Sequence, residues 1–346
     1  MTALTLVGFH GVFYPGDEMS ILVIGGAGYI GSHMVKRLLS AGRSVIVFDN
    51  LVTGFRDAVV GGTFVEGDIN DRAALKALFA HYPISAVMHF ASFIQVGESV
   101  AKPEKYYRNN LAATLVLLEE MLKAEVKRFI FSSTAAIFGE PLYSPLDEAH
   151  QKQPINPYGR SKWMVEQILE DYDSAHGLKS ICLRYFNAAG ADPDGELGER
   201  HEPETHLIPI LLQLASGRRD RASVFGTDYP TADGTCIRDY IHVSDLCEAH
   251  FLALDYLTQN GQSNRFNLGN GKGFSVAEVI AAVKTVTGKQ LALDYAARRA
   301  GDPAVLVANS DKARELLGWS PRYADLHDIV AHAWAFEQKA THRKSS

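Results

Sequence analysis

Gly25, Gly28 and Gly31 form G-x-x-G-x-x-G directly after the apolar run 21–24 and at the opening of a helical pattern. A strand that enters a helix through this spacing must turn tightly. The first glycine permits the turn, the second lets an anion approach the backbone, and the third lets helix and strand pack closely. The unpaired N–H groups of such a helix start are aimed at a pyrophosphate. Tight turns elsewhere also use glycine, so the context has to support the reading. It does so at Asp49, which follows the second apolar run and lies 18 residues past Gly31, near the spacing of about 20 for a carboxylate that accepts a ribose hydroxyl. A carboxylate there repels a 2′-phosphate, which favours NAD over NADP. A simple turn role for Asp49 is the alternative. Asp68, after the run 63–65, is placed either to reach the adenine or to cap its own loop.

The rest of the first half repeats the pattern. Runs 21–24, 45–48, 86–90 and 129–131 read as buried strands, while 29–41, 71–81 and 103–124 read as helices. In 29–41, Ile30, Met34 and Leu38 recur at helical spacing and Gly42 suits a C-terminal stop. Strand–helix alternation predicts an α/β fold, a Rossmann-type doubly wound parallel sheet with a ligand at the carboxyl ends of its strands. After residue 187, acidic and Pro/Gly-rich loops separate shorter elements. We therefore expect an NAD-binding domain over 19–187 and a smaller C-terminal α/β substrate domain over 188–346. The boundary is soft, with later segments able to return to the first sheet. Residues 1–18 have no basic n-region or clear cleavage site, so they read as an extension before a start at Met19 rather than as a signal peptide.

Composition closes off several other classes. The net charge is −6 with no long basic block, which gives nucleic-acid binding little electrostatic support. No apolar run approaches the roughly 18 residues of a membrane span. Cys182, Cys236 and Cys247 are too few and too far apart for a disulfide scaffold, and a reducing cytoplasm is the natural setting. The 13 histidines form no H-E-x-x-H or comparable ligand spacing, so no metal is expected.

Tyr158 and Lys162 form Y-x-x-x-K within NPYGRSKWMVEQIL. Asn156 is a good N-cap and Pro157 suits the first helical position, so both side chains fall on one helix face a turn apart. A free phenol, with a pKa near 10, is a poor base at neutral pH. A nearby ammonium and a positive nicotinamide ring would favour the phenolate and make it a general base. Alone, the pattern also describes a surface pair. Behind a dinucleotide turn it reads as catalytic. The third hydroxyl of such a site comes from Ser132, Ser133 or Thr134, unless these only cap the strand end.

The segments GGAGYIGSH, HFA…VGES, FIFSSTAAIFG, NPYGRSK, LRYFNAAGA and RDYIHVSDL, in this order, resemble the UDP-glucose 4-epimerase family of the extended short-chain dehydrogenase/reductase superfamily. The likeness runs from about residue 20 to about 337. It implies a two-domain enzyme, often a homodimer, that holds NAD tightly and interconverts UDP-glucose and UDP-galactose. By motif, Thr134 (Ser in most relatives), Tyr158 and Lys162 become the catalytic hydroxyl, base and lysine partner. The resemblance further implies NAD contacts at Gly25, Gly28, Tyr29, Ile30, Gly31, Asp49, Asn50, Asp68, Ile69, Phe90, Ala91, Asn109, Ser132 and Tyr185, beside Tyr158 and Lys162. For a UDP-sugar it implies Asn187, His206, Leu207, Val224, Phe225, Arg238, Arg299, Asp302 and Leu306, with Thr134. The guanidinium groups of Arg238 and Arg299 suit a diphosphate.

Three positions besides Thr134 stand out against the family pattern. His206 stands where many relatives have Asn, and Ile94 where they often carry Lys near the nicotinamide ribose. Leu306 falls where relatives have Tyr or a small residue beside the hexose 2-position, so an N-acetyl group could fit. Related dehydratases carry Asp-Glu after the hydroxyl, and related decarboxylases Glu; Ala135 and Ala136 have no ionisable group, which leaves epimerisation. UDP-glucuronate and UDP-N-acetylhexosamine remain open as substrates. Outside the class, a net oxidoreductase and a non-catalytic NAD-sensing module are the alternatives.

Overall fold

Seven parallel strands build the central sheet of the computed structural model, which describes residues 19–299 and 302–344. The expected extension 1–18 lies outside these residues. In chain order, the first six strands are β1 (Ser20–Ile24), β2 (Val45–Asp49), β3 (Thr63–Glu66), β4 (Ile84–His89), β5 (Arg128–Thr134) and β6 (Lys179–Tyr185). A seventh, Asn264–Leu268, returns from the second half to pair with β6, giving the spatial order Asn264–Leu268, β6, β5, β4, β1, β2, β3. Helices cover both faces, so the strands read as continuous apolar runs rather than alternating ones. One core packs the Tyr29–Ser40 and Val243–Asn260 helices against the sheet through Val23, Met34, Leu38, Leu246 and Ala253. Leu22, Phe48, Leu75, Leu117, Phe129 and Val165 make the core on the opposite face.

The local signals behave as their chemistry dictates. Asp71 accepts hydrogen bonds from the backbone N–H groups of Ala73 and Ala74 and caps the Arg72–His81 helix. Asn156 accepts from Gly159, with Pro157 next in line, at the start of Pro157–His176. The expected helix over 103–124 is not continuous. It divides into Pro103–Tyr106, a wide π turn Tyr107–Ala112, and Ala113–Lys123. Within the π turn, the buried Asn110 amide grips the Phe93 backbone at both N–H and C=O, each at 2.9 Å. Such widened turns gather at functional sites, and this one puts Asn109 on the cleft wall.

Strand β5 also runs further than the apolar pattern suggests, through Ser132, Ser133 and Thr134. Alternation then separates the three hydroxyls. Ser132 and Thr134 line the cleft, whereas the Ser133 hydroxyl donates to Glu166 at 2.6 Å. Glu166 is fully buried on the Pro157–His176 helix and receives Nη2 of Arg184, on β6, at 2.6 Å. This pair fastens the helix to the sheet. Removing one partner of a buried pair strands a charge. Arg184→Met should therefore lower stability by about 3–5 kcal/mol, while Glu166→Leu with Arg184→Met should recover most of the loss. Urea unfolding at fixed NAD concentration measures both, and a single-variant loss below about 1 kcal/mol would contradict the role given to the pair.

Candidate active site

A cleft of about 1180 Å³ opens at the carboxyl ends of β1, β4, β5 and β6 and continues into the second half of the chain. The glycine turn forms one wall. A Cβ at Gly31 would lie 2.1 Å from the Gly25 carbonyl oxygen, and one at Gly25 2.6 Å from the Ala91 nitrogen. Gly28 caps the Tyr29–Ser40 helix without any side-chain hydrogen bond, and no acidic residue occupies its first turn. The N–H groups there are left for an anion. This cradle, closed to any side chain, fits a dinucleotide pyrophosphate. Asp49 sits at the end of β2, mostly buried, accepting from Ala27 at 2.9 Å and Leu51 at 2.8 Å. Burial raises its pKa, and those two N–H groups oppose the rise. Each carboxylate oxygen keeps a second lone pair for a hydroxyl donor.

Every expected cofactor and substrate position lines this cleft except Asp68 and Lys162. Asp68 caps its own loop through Asn70 and receives the Asn50 amide at 2.8 Å. Lys162 lies behind the wall, 2% exposed. Its ammonium donates to the Ser132 carbonyl at 2.8 Å and to the Ser92 hydroxyl at 2.7 Å, and it faces the Phe131 ring at 4.8 Å. Ser92 had no sequence signal of its own. Burial pulls the Lys162 pKa down to about 7, with Glu166 pulling it upward.

Tyr158 is 9% exposed and lines the cleft beside Thr134. Its helix reaches this depth because residue 159 is glycine: a Cβ there would meet the Ala136 carbonyl at 2.4 Å. The expected fall in the phenol pKa is not found in the chain alone. Burial raises it, and the hydrogen bond with Thr134 offsets only part of that rise. Lys162 gives two of its three N–H donors to Ser132 and Ser92, so these bonds support the strand end rather than the phenol. The hydroxyls of Ser132 and Tyr185 are hydrogen-bonded to each other next to it.

The far end of the cleft is cationic and paired. Arg238 is ion-paired with Asp302, and the Arg299 guanidinium stacks on Phe225 at 4.0 Å. Asn187 donates to the Asp239 carbonyl at 3.0 Å. Leu306 and Ile94 both reach the cleft. His206 precedes the Leu207–Ala215 helix, its Nδ1 2.8 Å from Glu199 and 3.0 Å from Glu204. Those carboxylates outweigh burial and lift its pKa to about 10. His201 joins them, making a four-residue group that the sequence reading missed. The spacing 199, 201, 204, 206 follows no helix period, and only the loop fold gathers it.

Residues 21–269 match the NAD dependent epimerase/dehydratase family. The chain belongs to that family. It is 52% identical over 328 residues to the UDP-glucose 4-epimerase of Halalkalibacterium halodurans, covering 95% of this chain and 98% of that protein. The crystal structure of UDP-glucose 4-epimerase from Brucella ovis in complex with NAD superposes with a TM-score of 0.90 at 48% identity, covering 92% of this chain and 98% of that one. The UDP-Glc/GlcNAc 4-epimerase of Campylobacter jejuni superposes with a TM-score of 0.82 at 46% identity, over 93% and 99% of the two chains.

The steric argument at the turn gives a direct expectation. Gly31→Ala should purify with at least about tenfold less NAD than the parent chain, a loss of about 1.4 kcal/mol or more in affinity. NAD released on denaturation and quantified enzymatically checks this. Full NAD content would show that the turn does not seat the pyrophosphate.

Proposed function

We propose that the chain is an isomerase that inverts carbon 4 of a UDP-hexose, interconverting UDP-glucose and UDP-galactose with NAD as a resident cofactor. One observation carries the reading: Tyr158, Thr134 and the glycine turn face a single cleft whose opposite end offers Arg238 and Arg299. Gly25, Gly28 and Gly31 seat the NAD pyrophosphate, Asp49 holds its adenosine ribose, and Tyr185, Ser132 and Asn109 border the nicotinamide side. When bound, NAD supplies a hydride acceptor at the sugar ring and then a donor, and its ring charge favours the phenolate.

Tyr158 takes the proton from the 4-hydroxyl, and Thr134 hydrogen-bonds the same oxygen as it becomes a carbonyl. Lys162 holds the end of β5, and with it Ser132, in place. The second half of the chain grips the nucleotide through Leu207, Phe225, Arg238 and Arg299. Binding energy spent on UDP leaves the hexose free to turn its other face. Tyr158 then returns the proton, now to the opposite epimer. Ala135 and Ala136 next to Thr134 supply no acid or base for elimination, which separates this site from a dehydratase.

Residues 19–187 form the NAD-binding part and 188–346 the UDP-sugar part in this reading, with Asn264–Leu268 borrowed by the first sheet. We further propose a homodimer, which sedimentation velocity tests. Among the described residues, no helix is long and apolar enough to cross a membrane. Cys182, Cys236 and Cys247 are all free and buried, on which we propose a reducing, cytoplasmic setting.

A second substrate is favoured by one position. Leu306 borders the cleft and is smaller than Tyr, and the Campylobacter jejuni relative is named for both UDP-Glc and GlcNAc. UDP-N-acetylglucosamine should therefore be epimerised too, and Leu306→Tyr should suppress that activity while sparing UDP-galactose. Absence of N-acetyl turnover in the parent chain ends the idea. For the main reaction, Tyr158→Phe should lower kcat by about 10²–10⁴-fold with UDP affinity unchanged by calorimetry. Undiminished turnover would remove Tyr158 from the mechanism.

A further inference from the structure

The acid–imidazole group in the cleft wall, of which only His206 was expected to meet the UDP-sugar, has no part in hydride or proton transfer. Its geometry is unusually convergent. One nitrogen or oxygen from each of Glu199, His201, Glu204 and His206 lies within 4.8 Å of all the others. His206 Nδ1 is 2.8 Å from Glu199 Oε1 and 3.0 Å from Glu204 Oε1. His201 Nδ1 is 3.2 Å from Glu199 Oε1 and 3.6 Å from Glu204 Oε2. Ligand bonds of about 2.0–2.2 Å in a tetrahedral zinc site put neighbouring ligand atoms about 3.3–3.6 Å apart. The His–Glu spacings run from 2.8 to 3.6 Å, the two His206 contacts shorter than this and the longest, from His201, to the other oxygen of Glu204, so a small outward adjustment of His206 would admit the ion.

We propose that Glu199, His201, Glu204 and His206 bind one zinc ion in a tetrahedral site that clips the 199–206 loop shut. Two further observations point the same way. His201 Nδ1 is buried and lies between the two carboxylates, 3.2 Å from Glu199 and 3.6 Å from Glu204, without a well-aligned hydrogen bond to either oxygen, a placement that also suits an ion among the three groups. Glu204 is already held by second contacts, accepting from the backbone N–H groups of Thr205 at 2.8 Å and His206 at 2.9 Å. Outer hydrogen bonds of this kind fix the orientation of a ligating carboxylate.

The chemistry of the set selects the ion. Binding would displace the imidazole protons into solvent, after which two neutral imidazoles with two carboxylates balance a divalent charge and suit zinc, whereas calcium takes six to eight oxygens and magnesium keeps its waters. Four protein ligands close the coordination shell, so the ion would be structural and would not activate water. All four come from eight consecutive residues, which keeps loop-closure entropy low. What the clip would hold is visible on either side. Arg200, between two ligands, reaches Asp57 at 3.0 and 2.7 Å and stacks on Phe55 at 4.1 Å. It thereby straps the second half to the loop after β2, on the adenosine side of the cleft. At the other end, His206 precedes Leu207 on the substrate side.

The test is equilibrium dialysis of the chelator-stripped, NAD-loaded full chain against zinc, with metal quantified per chain. One zinc per chain is expected. His201→Gln and Glu204→Gln should each weaken it by at least about tenfold, with circular dichroism and NAD content unchanged. Cobalt in the wild-type chain should give the intense visible bands of a tetrahedral site without thiolate charge-transfer bands, a readout that does not depend on a folded variant. No stoichiometric zinc, zinc indifferent to both substitutions, or the weak spectrum of six-coordinate cobalt would each overturn the proposal, and would leave the four groups as two imidazolium–carboxylate pairs.

Discussion

The active-site edge of this molecule depends on one desolvated ammonium. Lys162 is 2% exposed and reaches out of its helix to the backbone carbonyl of Ser132 and the hydroxyl of Ser92. Those two bonds join three elements: the helix that carries Tyr158, the end of β5 that carries Thr134, and the loop after β4. A buried cation is costly unless its donors are satisfied. Glu166 lies one turn further along the same helix and pulls the Lys162 pKa upward against burial, and Arg184 neutralises Glu166 in turn. The chain of charges Lys162, Glu166, Arg184 thus runs from the cleft into the sheet, and the geometry at the cleft inherits its rigidity.

That arrangement explains which features were legible in the sequence. Glycine turns and helix caps act over a few residues, so the G-x-x-G-x-x-G turn, the Asn156 cap and the α/β alternation could be read locally. Tyr158 and Lys162 share a helix, and their common face follows from spacing alone. What spacing could not give was the destination of each side chain. The Lys162 ammonium was expected near the phenol, and spacing could not show that two of its three donors go to Ser132 and Ser92. Of three consecutive hydroxyls, strand alternation turns Ser133 away to Glu166, a result that needed β5 to be known past its apolar residues.

Other features were illegible because they are made by tertiary contact. The break in the 103–124 helix has no proline or glycine at the π turn to announce it; it is imposed by Phe93, which binds the Asn110 amide from a distant loop. The grouping of Glu199, His201, Glu204 and His206 is close in sequence, yet an irregular loop carries it and no period betrays which side chains converge. That a later segment could return to the first sheet was expected, but which segment does so and that it meets β6 depend on which sheet edge is open, a property of the assembled fold.

The two ends of the cleft handle charge in opposite ways, and this bears on how an epimerase can hold its substrate firmly yet let the sugar turn. At the cofactor end the anion sites are backbone N–H groups, which exist whether or not a ligand arrives. At the substrate end, Arg238 already has Asp302 as a partner and Arg299 is stacked on Phe225. A diphosphate therefore exchanges one charge-assisted contact for another at Arg238, so that part of its attraction is offset by the pair it disrupts. On the proposed reading, the pyrophosphate of NAD meets preorganised donors and stays, while that of a UDP-sugar meets a competing carboxylate and can leave. The same protein charge count could not produce both behaviours; the difference lies in whether the donor is fixed backbone or a side chain with an alternative partner.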